Sequence, residues 1–577
     1  MNKFKKLNLL LGVVLLTTVS SCNNEPNLSE TVSQSKNEDW IKEGQKLENP
    51  YSVKNMKLAL KNLKTKKTTA KTTESAIDDG FEIETTHLYV KFEPKTEAEE
   101  AVLKQDSTVV LFDYPLDYEF TEKTLASRPQ LDSTAVPNYY TAIAVNSEIA
   151  SQAQYETLEQ LYIPEEDPYF GSKLSKNQKL SDKKENFLDQ LLNEAFKLTG
   201  NERQDKKASA NSRLIFGKRW WPSGNISVFD EVAGSNKPVV GAQVLIRQWF
   251  TVRQGITDSN GNFRTSSVRG SARYILQWER YDYSIRNGSF FQAETRGSRE
   301  TNDPWNLNIT DGDDKYHALI HQAAHDYYYG HRFDLEAPPR NSVFKTQIKI
   351  AARESAPWGV PSSYSHVRGQ LHFITGIYLL PLAQIHIKKY GSRSDEVYGT
   401  TIHELAHAAH SALDRTSYNN LVRDAWTFPI YGDAVVNRNK RLLETWATTV
   451  EIMMTLHRYR TQFGNPNYSV YSAVPGNFQR ETIANENHYT SGGFDMIDDF
   501  NQRIIRDALG NIILGSNGMP LQNVNLPIDN VNGYTLKQLQ DALIGARLWN
   551  GWRDNIKNRY NNPTAVHLDE LFNNWQD

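Results

Sequence analysis

The chain has 577 residues, which is too many for one ordinary hydrophobic core, so its length predicts roughly three or four domains. Hydrophobic residues at 39% and charged residues at 23% are typical of a soluble globular protein. The net charge of −3 comes without a dominant basic cluster, which excludes the electrostatic footprint of a nucleic-acid-binding protein.

The N-terminus carries the pattern of an export signal. Residues 1–22 read MNKFKKLNLLLGVVLLTTVSSC, in which a basic start precedes an apolar run that is too short to span a bilayer. The last residues, VSSC, resemble the lipobox of bacterial lipoproteins, so we expect residues 1–21 to be removed and Cys22 to be lipidated. The alternative is ordinary cleavage near Ser21, with no role for this single cysteine. A lipid would anchor the protein to a membrane of the cell envelope.

Residues 22–80 are predicted to form a tether. The stretch after the cysteine is polar and has too few apolar residues to build a core. Apolar residues then recur at helical spacing from Val53 to Leu63 and predict one short helix. A linker rich in lysine and threonine follows at residues 64–75.

The next unit, residues 81–200, is predicted to be a small α+β domain. Runs rich in β-branched and aromatic residues predict strands at HLYVKFEP (87–94) and STVVLFDYP (107–115). The segment between them, TEAEEAVLKQ, and the segment FLDQLLNEAFKL (187–198) are predicted to be helices. A polar linker, residues 201–222, follows this unit.

Residues 223–289 have the pattern of an all-β unit. Short runs rich in β-branched and aromatic residues alternate with turn residues, and Asn260-Gly261 predicts a hairpin because both residues tolerate a positive φ. The segments PVVGAQV (238–244) and TDSNGNF (257–263) resemble the carboxypeptidase regulatory-like β-sandwich. That resemblance implies a sandwich fold and no chemistry of its own.

Residues 290–577 are predicted to be mostly helical, with two strands. The strand segments are KTQIKIAAR (345–353) and IYLLPLAQIHIKKY (377–390), and the second lies shortly before TTIHELAHAAH (400–410). A loop-like insertion, residues 511–533, precedes the last helices. The predicted fold class is therefore multidomain, with an α+β unit, a β-sandwich and a mostly helical α+β unit.

The segment TTIHELAHAAH contains His-Glu-x-x-His, and helix geometry explains this pattern. Residues four apart lie on one face of an α-helix, so His403 and His407 can offer imidazole nitrogens to one ion. Glu404 lies about 100° round the helix from His403, where it can accept a proton from a metal-held water without being a ligand. Ser394 and the two acidic residues after it predict the start of this helix. The pattern predicts Zn²⁺ as the cofactor.

A catalytic zinc needs three protein ligands and an open position. A metzincin would have glycine and histidine where this chain has His410 and Leu413. Residues 310–465 instead resemble the zincin metallopeptidases of the gluzincin type, which take the third ligand from a glutamate on a later helix, often within Glu-x-x-Ala. That resemblance implies Glu444, in the sequence Glu-Thr-Trp-Ala ending at Ala447, as the third ligand.

The match to the gluzincin pattern is incomplete. Thermolysin-like enzymes have an aspartate four residues after the ligand glutamate, where it orients a histidine, and this chain has Thr448 there. The gap from His407 to Glu444 is also longer than in those enzymes. Several alternatives to Glu444 therefore stay open: Glu451 on the same predicted helix, Asp414, His410 or no third ligand.

Two further segments fit the resemblance. HALIHQAAHDYYYGHRF (317–333) is similar to an aromatic-rich helix upstream of the motif, and the strand ending at Tyr390 is similar to the substrate-binding edge strand. The upstream helix also has three histidines at four-residue spacing, which could form a second metal site or a row of hydrogen-bonded side chains. We favour the second interpretation because no acidic ligand accompanies them. These histidines are His317, His321 and His325.

The favoured interpretation is an exported, lipid-anchored zinc metallopeptidase that hydrolyses peptide bonds of proteins or peptides. Glu404 would act as the general base, and His488, Tyr489 or Tyr431 could donate hydrogen bonds to the oxyanion. The alternative is a surface lipoprotein that binds protein or glycan and retains a zincin fold without peptidase activity. Glu404 favours the enzyme, because a non-catalytic zinc site needs no general base.

Overall fold

The computed structural model describes most of the chain between Gln34 and Trp575. The described residues are 34–70, 81–106, 109–128, 136–148, 153–167, 169, 178–202, 219–288, 290–298, 301–342, 346–353, 370–371, 385–388, 393–426, 433–469, 482–483 and 488–575. Cys22, Tyr431 and most of the predicted strand at 377–390 lie outside them. Within the described ranges, no helix is long and apolar enough to cross a bilayer. The architecture is a mixed α/β fold of several units, as the sequence predicts.

The N-terminal unit is an antiparallel sheet flanked by helices, and its sheet has the strand order β4–β2–β5. Its strands are β1 (Gln45–Lys46), β2 (His87–Phe92), β3 (Tyr118–Glu119), β4 (Tyr139–Ala144) and β5 (Tyr155–Leu161), of which β1 pairs with β3. Its helices are α1 (Val53–Ala70), α2 (Glu97–Leu103), α3 (Glu122–Ala126) and α4 (Gln178–Leu198), with 3₁₀ helices at Gln34–Glu43 and Pro164–Glu166. The helices predicted after residue 53, between the first two predicted strands and at 187–198 are confirmed.

The strand predicted at 107–115 is wrong over its described part, residues 109–115. This segment pairs with the sheet only through Phe112 and Tyr140, whose backbone groups exchange two hydrogen bonds of 3.1 and 2.7 Å. The run is apolar because its side chains are buried in a loop, as Leu111 and Tyr114 show. Periodicity alone cannot separate a buried strand from another buried segment.

Residues 223–309 contain two four-stranded sheets. The first has the order β10–β6–β15, with β7 also on β6, and the second has the order β14–β11–β8–β9. Their strands are β6 (Ser223–Asp230), β7 (Ser235–Pro238), β8 (Gln243–Gln248), β9 (Thr251–Ile256), β10 (Asn262–Arg264), β11 (Arg273–Gln277), β14 (Glu294–Arg296) and β15 (Trp305–Ile309). The first sheet thus includes β15, which lies beyond the predicted boundary at residue 289.

The turn predicted at Asn260-Gly261 is confirmed, whereas the hairpin is wrong. Gly261 has a φ of +76°, and its N–H donates to the Asp258 carbonyl at 2.9 Å. The strands on the two sides of the turn belong to different sheets, because β9 pairs with β8 and β10 pairs with β6. The turn therefore carries the chain from one sheet to the other.

The second sheet separates two hydrophobic cores. Val244 and Ile246 of β8 belong to a core that also contains Ile226 of β6. Leu245 points to the opposite face, because side chains alternate along a strand, and it joins the core of the N-terminal unit together with Ile275, its partner on β11. The N-terminal unit and the two sheets are therefore packed together.

A third sheet and a group of helices form the region that carries the motif. The sheet has the order β13–β12–β16–β18–β17, with β12, β16 and β18 parallel. Its strands are β12 (Tyr283–Asn287), β13 (Phe291–Gln292), β16 (Ile348–Arg353), β17 (Gln370–Leu371) and β18 (Ile385–Lys388). The helices are α5 (Gly312–Tyr329), α6 (Ser394–Leu413), α7 (Arg415–Trp426) and α8 (Asp433–Leu456), and a π-helical turn, His457–Gln462, follows α8. The strand predicted at 345–353 and the motif helix are confirmed.

The C-terminal segment packs against α8. Its helices are α9 (Gly492–Asp495), α10 (Leu536–Asp541), α11 (Trp549–Arg559) and α12 (Leu568–Asn573), with a 3₁₀ turn at Ala565–His567. Trp552 of α11 is fully buried, and its ring lies 6.4 Å from that of Trp446 on α8. The predicted insertion at 511–533 contains only isolated bridges and no strand. These contacts place α8 between the motif helix and the C-terminal segment.

Candidate metal centre

Helices α6 and α8 bring three side chains with metal-binding atoms together. The Nε2 atom of His403 lies 3.1 Å from a carboxylate oxygen of Glu444, and the Nε2 atom of His407 lies 3.6 Å from the same oxygen. One ligand atom of each residue lies within 4.8 Å of those of the other two. The three side chains are largely shielded from solvent, with exposed fractions of 1%, 9% and 13% for His403, His407 and Glu444.

Helix α6 begins at Ser394, as the sequence predicts, and Glu231, the residue after β6, stabilises its first turn. The Ser394 N–H donates to one carboxylate oxygen of Glu231 at 2.5 Å, and its hydroxyl donates to the other at 2.7 Å. Lys315 of α5 pairs with the same carboxylate at 2.6 Å. A negative charge at the N-terminus of a helix is favourable, so Glu231 helps to fix the start of the helix that carries His403.

The middle of α6 is enclosed by its neighbours. Every residue from Thr400 to Ser411 is buried, including the apolar Ile402, Leu405 and Ala406. A helix that is buried on all faces needs small or apolar residues except where polar side chains have partners. The alanines of the motif segment fulfil this requirement, and His403 has a carboxylate partner at each of its ring nitrogens.

Glu451 is placed on the opposite side of the His403 ring from Glu444. Its carboxylate lies 3.1 Å from Nδ1 of His403, and it is 1% exposed. From the sequence, Glu444 and Glu451 are alternative candidates for the third ligand. In the structure, each faces a different nitrogen of the His403 ring. Thr448, at the position of the orienting aspartate in thermolysin-like enzymes, has a buried Oγ1 with no hydrogen-bond partner among the described residues. Glu451 lies about one helical turn after Thr448 on α8.

The charges of Glu444 and Glu451 act strongly on His403. Burial alone would lower the pKa of His403, but hydrogen bonds with Glu444 and Glu451 raise it to about 9. Burial would raise the pKa of Glu444, whereas His403 and His407 hold it well below its usual range. The two carboxylates thus favour a positive charge at His403.

The other candidate third ligands lie outside this cluster. His410 is fully buried, its ring nitrogens have no hydrogen-bond partner among the described residues, and burial together with His407 lowers its pKa to about 3. Asp414 accepts hydrogen bonds from the backbone N–H groups of Ser417 and Gly545, at 3.1 and 3.0 Å. Asp414 thus connects α7 to the C-terminal segment.

Three of the candidate catalytic residues, Glu404, His488 and Tyr489, lie in the part of the chain that the structure describes. Glu404 is 2% exposed and lies on α6 between the two histidines of the motif. The ring of Tyr489 lies 6.0 Å from that of His403, so this residue borders the cluster. The backbone carbonyl of His488 accepts a hydrogen bond from Thr445 at 3.4 Å. Tyr431 lies outside the described residues.

The histidine row on α5 is engaged in packing and hydrogen bonding. Nδ1 of His321 lies 3.1 Å from the Tyr283 hydroxyl and Nε2 lies 2.9 Å from the Val240 carbonyl, so both ring nitrogens have partners. Burial lowers the pKa of His321 to about 3. His325 packs on Gly241, where a Cβ would clash with its ring. These contacts agree with the interpretation of this row as hydrogen-bonded side chains.

The residues that converge fit a zinc ion by donor type and spacing. Two imidazole nitrogens and a carboxylate oxygen are a common ligand set of catalytic zinc, and tetrahedral ligands about 2.1 Å from the ion stand about 3.4 Å apart. The distances of 3.1 and 3.6 Å from the Glu444 oxygen to the two histidines bracket that spacing. Comparisons with protein-family models, curated proteins and solved structures gave no match.

Proposed function

We propose that this chain is a zinc-dependent metallopeptidase that hydrolyses peptide bonds of proteins or peptides. The observation that carries the proposal is the convergence of His403, His407 and Glu444 in a buried centre, with Glu404 buried on the helix that carries the two histidines. The donor set supports zinc, and an adjacent carboxylate that is not needed as a ligand supports hydrolysis. The resemblance of residues 310–465 to gluzincin-type zincins points to the same activity.

Each residue of the centre has a proposed role. His403, His407 and Glu444 would hold the ion through Nε2, Nε2 and a carboxylate oxygen. Bound zinc would supply Lewis-acid activation of a water molecule and of the scissile carbonyl. Glu404 would accept the proton of the attacking water and later transfer it to the leaving amine.

Glu451 would act as a positioning residue for His403. A carboxylate 3.1 Å from Nδ1 favours the proton of a neutral imidazole on that nitrogen, which would leave the Nε2 lone pair available to hold the ion. It also raises the basicity of the ring as a ligand. The ring of Tyr489 borders His403, so its hydroxyl is a candidate donor of a hydrogen bond to the oxyanion.

We also propose that the protein is exported and lipid-anchored through Cys22, in the cell envelope. The support is the signal-like segment that ends in VSSC. The two sheets of residues 223–309 fit a carboxypeptidase regulatory-like module, which contributes Glu231 to the start of α6. That contact gives the module a structural role in the metal centre.

The direct test is digestion of a broad peptide library by the purified mature protein. Cleavage should disappear after zinc is removed with a chelator and should return when one equivalent of zinc is restored. Wild-type protein that holds zinc and cleaves no peptide would instead favour the surface-binding lipoprotein. Cleavage that continues without metal would rule out this centre as the active site.

A further inference from the structure

A second group of metal-binding atoms lies away from the candidate zinc centre, in the C-terminal segment. It consists of Asp495, Asp498 and Asp529, here called the acidic cluster, whose ligand oxygens all lie within 4.8 Å of one another. Asp495 is at the end of α9, and Asp529 belongs to the insertion at 511–533. Asp495 is fully buried and Asp529 is 3% exposed. The sequence pattern gave no sign of this convergence, because the residues come from separate segments.

The acidic cluster concentrates negative charge in a buried place. Burial raises the pKa of Asp498 to about 7, and Asp495 acts in the same direction. Burial also raises the pKa of Asp529, with Asp495 and Asp498 as the next causes, and the backbone N–H of Val531 acts in the opposite direction. Carboxylates so close together repel each other unless a proton or a cation lies between them.

Gln502 provides an independent sign that a ligand belongs in the acidic cluster. Its side chain is 8% exposed, and its Nε2 donates to both carboxylate oxygens of Asp495 at 3.1 Å and to Ser491 at 3.2 Å. Its Oε1, which is about 2.2 Å from Nε2 by covalent geometry, is buried and has no hydrogen-bond partner among the described residues. An unsatisfied buried carbonyl is costly, and a carbonyl oxygen is a ligand that hard cations accept.

We propose that the acidic cluster, together with the amide oxygen of Gln502, is a binding site for Ca²⁺. All of the donors are oxygens, which suits a hard cation and not zinc. Oxygen ligands at 2.3–2.6 Å from Ca²⁺ stand up to about 5 Å apart, and the carboxylate oxygens of the cluster are within 4.8 Å of one another. Mg²⁺ is disfavoured because it retains several waters and rarely takes a site built from so many protein ligands.

The ion would connect the insertion to the helix that carries the third zinc ligand. Thr490, just before α9, shares a hydrogen bond of 2.9 Å with Thr445 on α8, one residue after Glu444. Gly493 of α9 approaches α8 so closely that a Cβ would clash with Thr449. Calcium on Asp495 and Asp529 would therefore fasten the insertion to α9 and, through α9, support α8.

The test uses the full mature chain, freed of metal on a chelating resin and reloaded with one equivalent of zinc. Addition of Ca²⁺ at about 100 times its dissociation constant should raise the midpoint of thermal unfolding by about 2 °C, and Mg²⁺ at the same concentration should raise it less. Tb³⁺, a luminescent substitute for Ca²⁺, should bind with tryptophan-sensitised emission, because the rings of Trp549 and Trp575 border Gly492. An equal effect of Mg²⁺, or no midpoint shift and no Tb³⁺ emission, would overturn the proposal.

Matched variants assign the ion to these residues. Without calcium, Asp529→Asn should unfold at the same temperature as the wild type or at a higher one, because the substitution removes a buried repulsion between carboxylates. With calcium, the midpoint of thermal unfolding of this variant should not rise. Asp499→Asn changes an exposed neighbour of the cluster and should keep the calcium-induced shift. Glu444→Ala should also keep it, which would show that calcium binds at a site other than the zinc centre. If Asp529→Asn fails to fold, loss of Tb³⁺ emission in Asp498→Asn supports the site. Retention of the shift, or of Tb³⁺ emission, in these acidic-cluster variants would overturn it.

Discussion

The carboxylate of Glu451 lies 3.1 Å from Nδ1 of His403, on the side of the ring that faces away from Glu444. This contact distinguishes the two glutamates of α8, which are two turns apart on one helix. In the proposed zinc centre, Glu444 would be a ligand and Glu451 would orient a ligand.

Substitution of Glu451 should weaken zinc binding without abolishing the site. In Glu451→Gln the amide oxygen can still accept the Nδ1–H bond, so we expect zinc affinity to fall about tenfold, and in Glu451→Ala between about 10-fold and 100-fold. The measurement is competition with a chromogenic chelator. Thr448→Val keeps the volume and removes a hydroxyl with no partner among the described residues, so it should bind zinc like the wild type. A larger loss in Thr448→Val than in Glu451→Ala would contradict the assignment.

Zinc binding should release a proton from His403. Its pKa is raised to about 9 in the metal-free protein, so the ring is protonated near neutral pH and must lose a proton when Nε2 takes the ion. We expect release of about one proton per zinc from this residue near neutral pH, and none well above pH 9. Calorimetry in buffers of different ionisation enthalpy measures this number.

The sign of the same shift also predicts the stability of the metal-free protein. The pKa of His403 rises from 6.5 in the unfolded chain to about 9 in the folded protein, so the charged ring stabilises the fold fully at pH values below 6.5. This contribution to stability is lost as the pH rises through about 9. Glu451→Gln removes one of the causes of the shift and should reduce both effects. A proton release that stays constant from neutral pH to above pH 9 would show that His403 is not the residue that titrates.

The stability of helix α6 should depend on Glu231, the residue after β6. Glu231→Ala removes the carboxylate that accepts two hydrogen bonds from Ser394 and pairs with Lys315, so we expect a loss of about 1–2 kcal/mol in the free energy of unfolding. Denaturant titration measures it. Glu119→Ala changes a side chain that is 61% exposed and should cost less than about 0.5 kcal/mol. Equal effects of the two variants would remove Glu231 from this role.

The sequence predicted the local features well. The helices were visible from periodicity, and the two histidines of the motif share a face because four residues make about one helical turn. Glu444 followed from the resemblance to gluzincins and is next to both histidines in the structure. These features depend on residues that are close in the chain or on one recognisable pattern.

The features that the sequence missed depend on tertiary packing. The role of Glu451 depends on how α8 is rotated against α6, which no local pattern reports. The strand predicted near Phe112 and the hairpin at Gly261 failed because an apolar run and a turn do not reveal which strand will pair with them. The acidic cluster joins α9 to an insertion that reads only as a loop.

Lipidation of Cys22 is a separate prediction. Cys22→Ser should move the protein from the membrane fraction to the soluble fraction, because one thiol is the only site for the lipid. Mass spectrometry of the wild-type N-terminus provides the second readout. Persistent membrane association of Cys22→Ser, together with an unlipidated wild-type N-terminus, would leave only ordinary signal cleavage.

The central claim is that Glu404 is the base of a zinc peptidase, and the rate of peptide cleavage at known zinc occupancy tests it most directly. Glu404→Gln keeps the shape of the side chain and removes the base, so zinc should stay at wild-type occupancy while cleavage falls by about 10² or more. Glu444→Ala is the matched comparison, since it should lose both zinc and cleavage. Two results would contradict this account of the site. One is peptide cleavage by zinc-loaded Glu404→Gln at the wild-type rate, and the other is full zinc occupancy in Glu444→Ala.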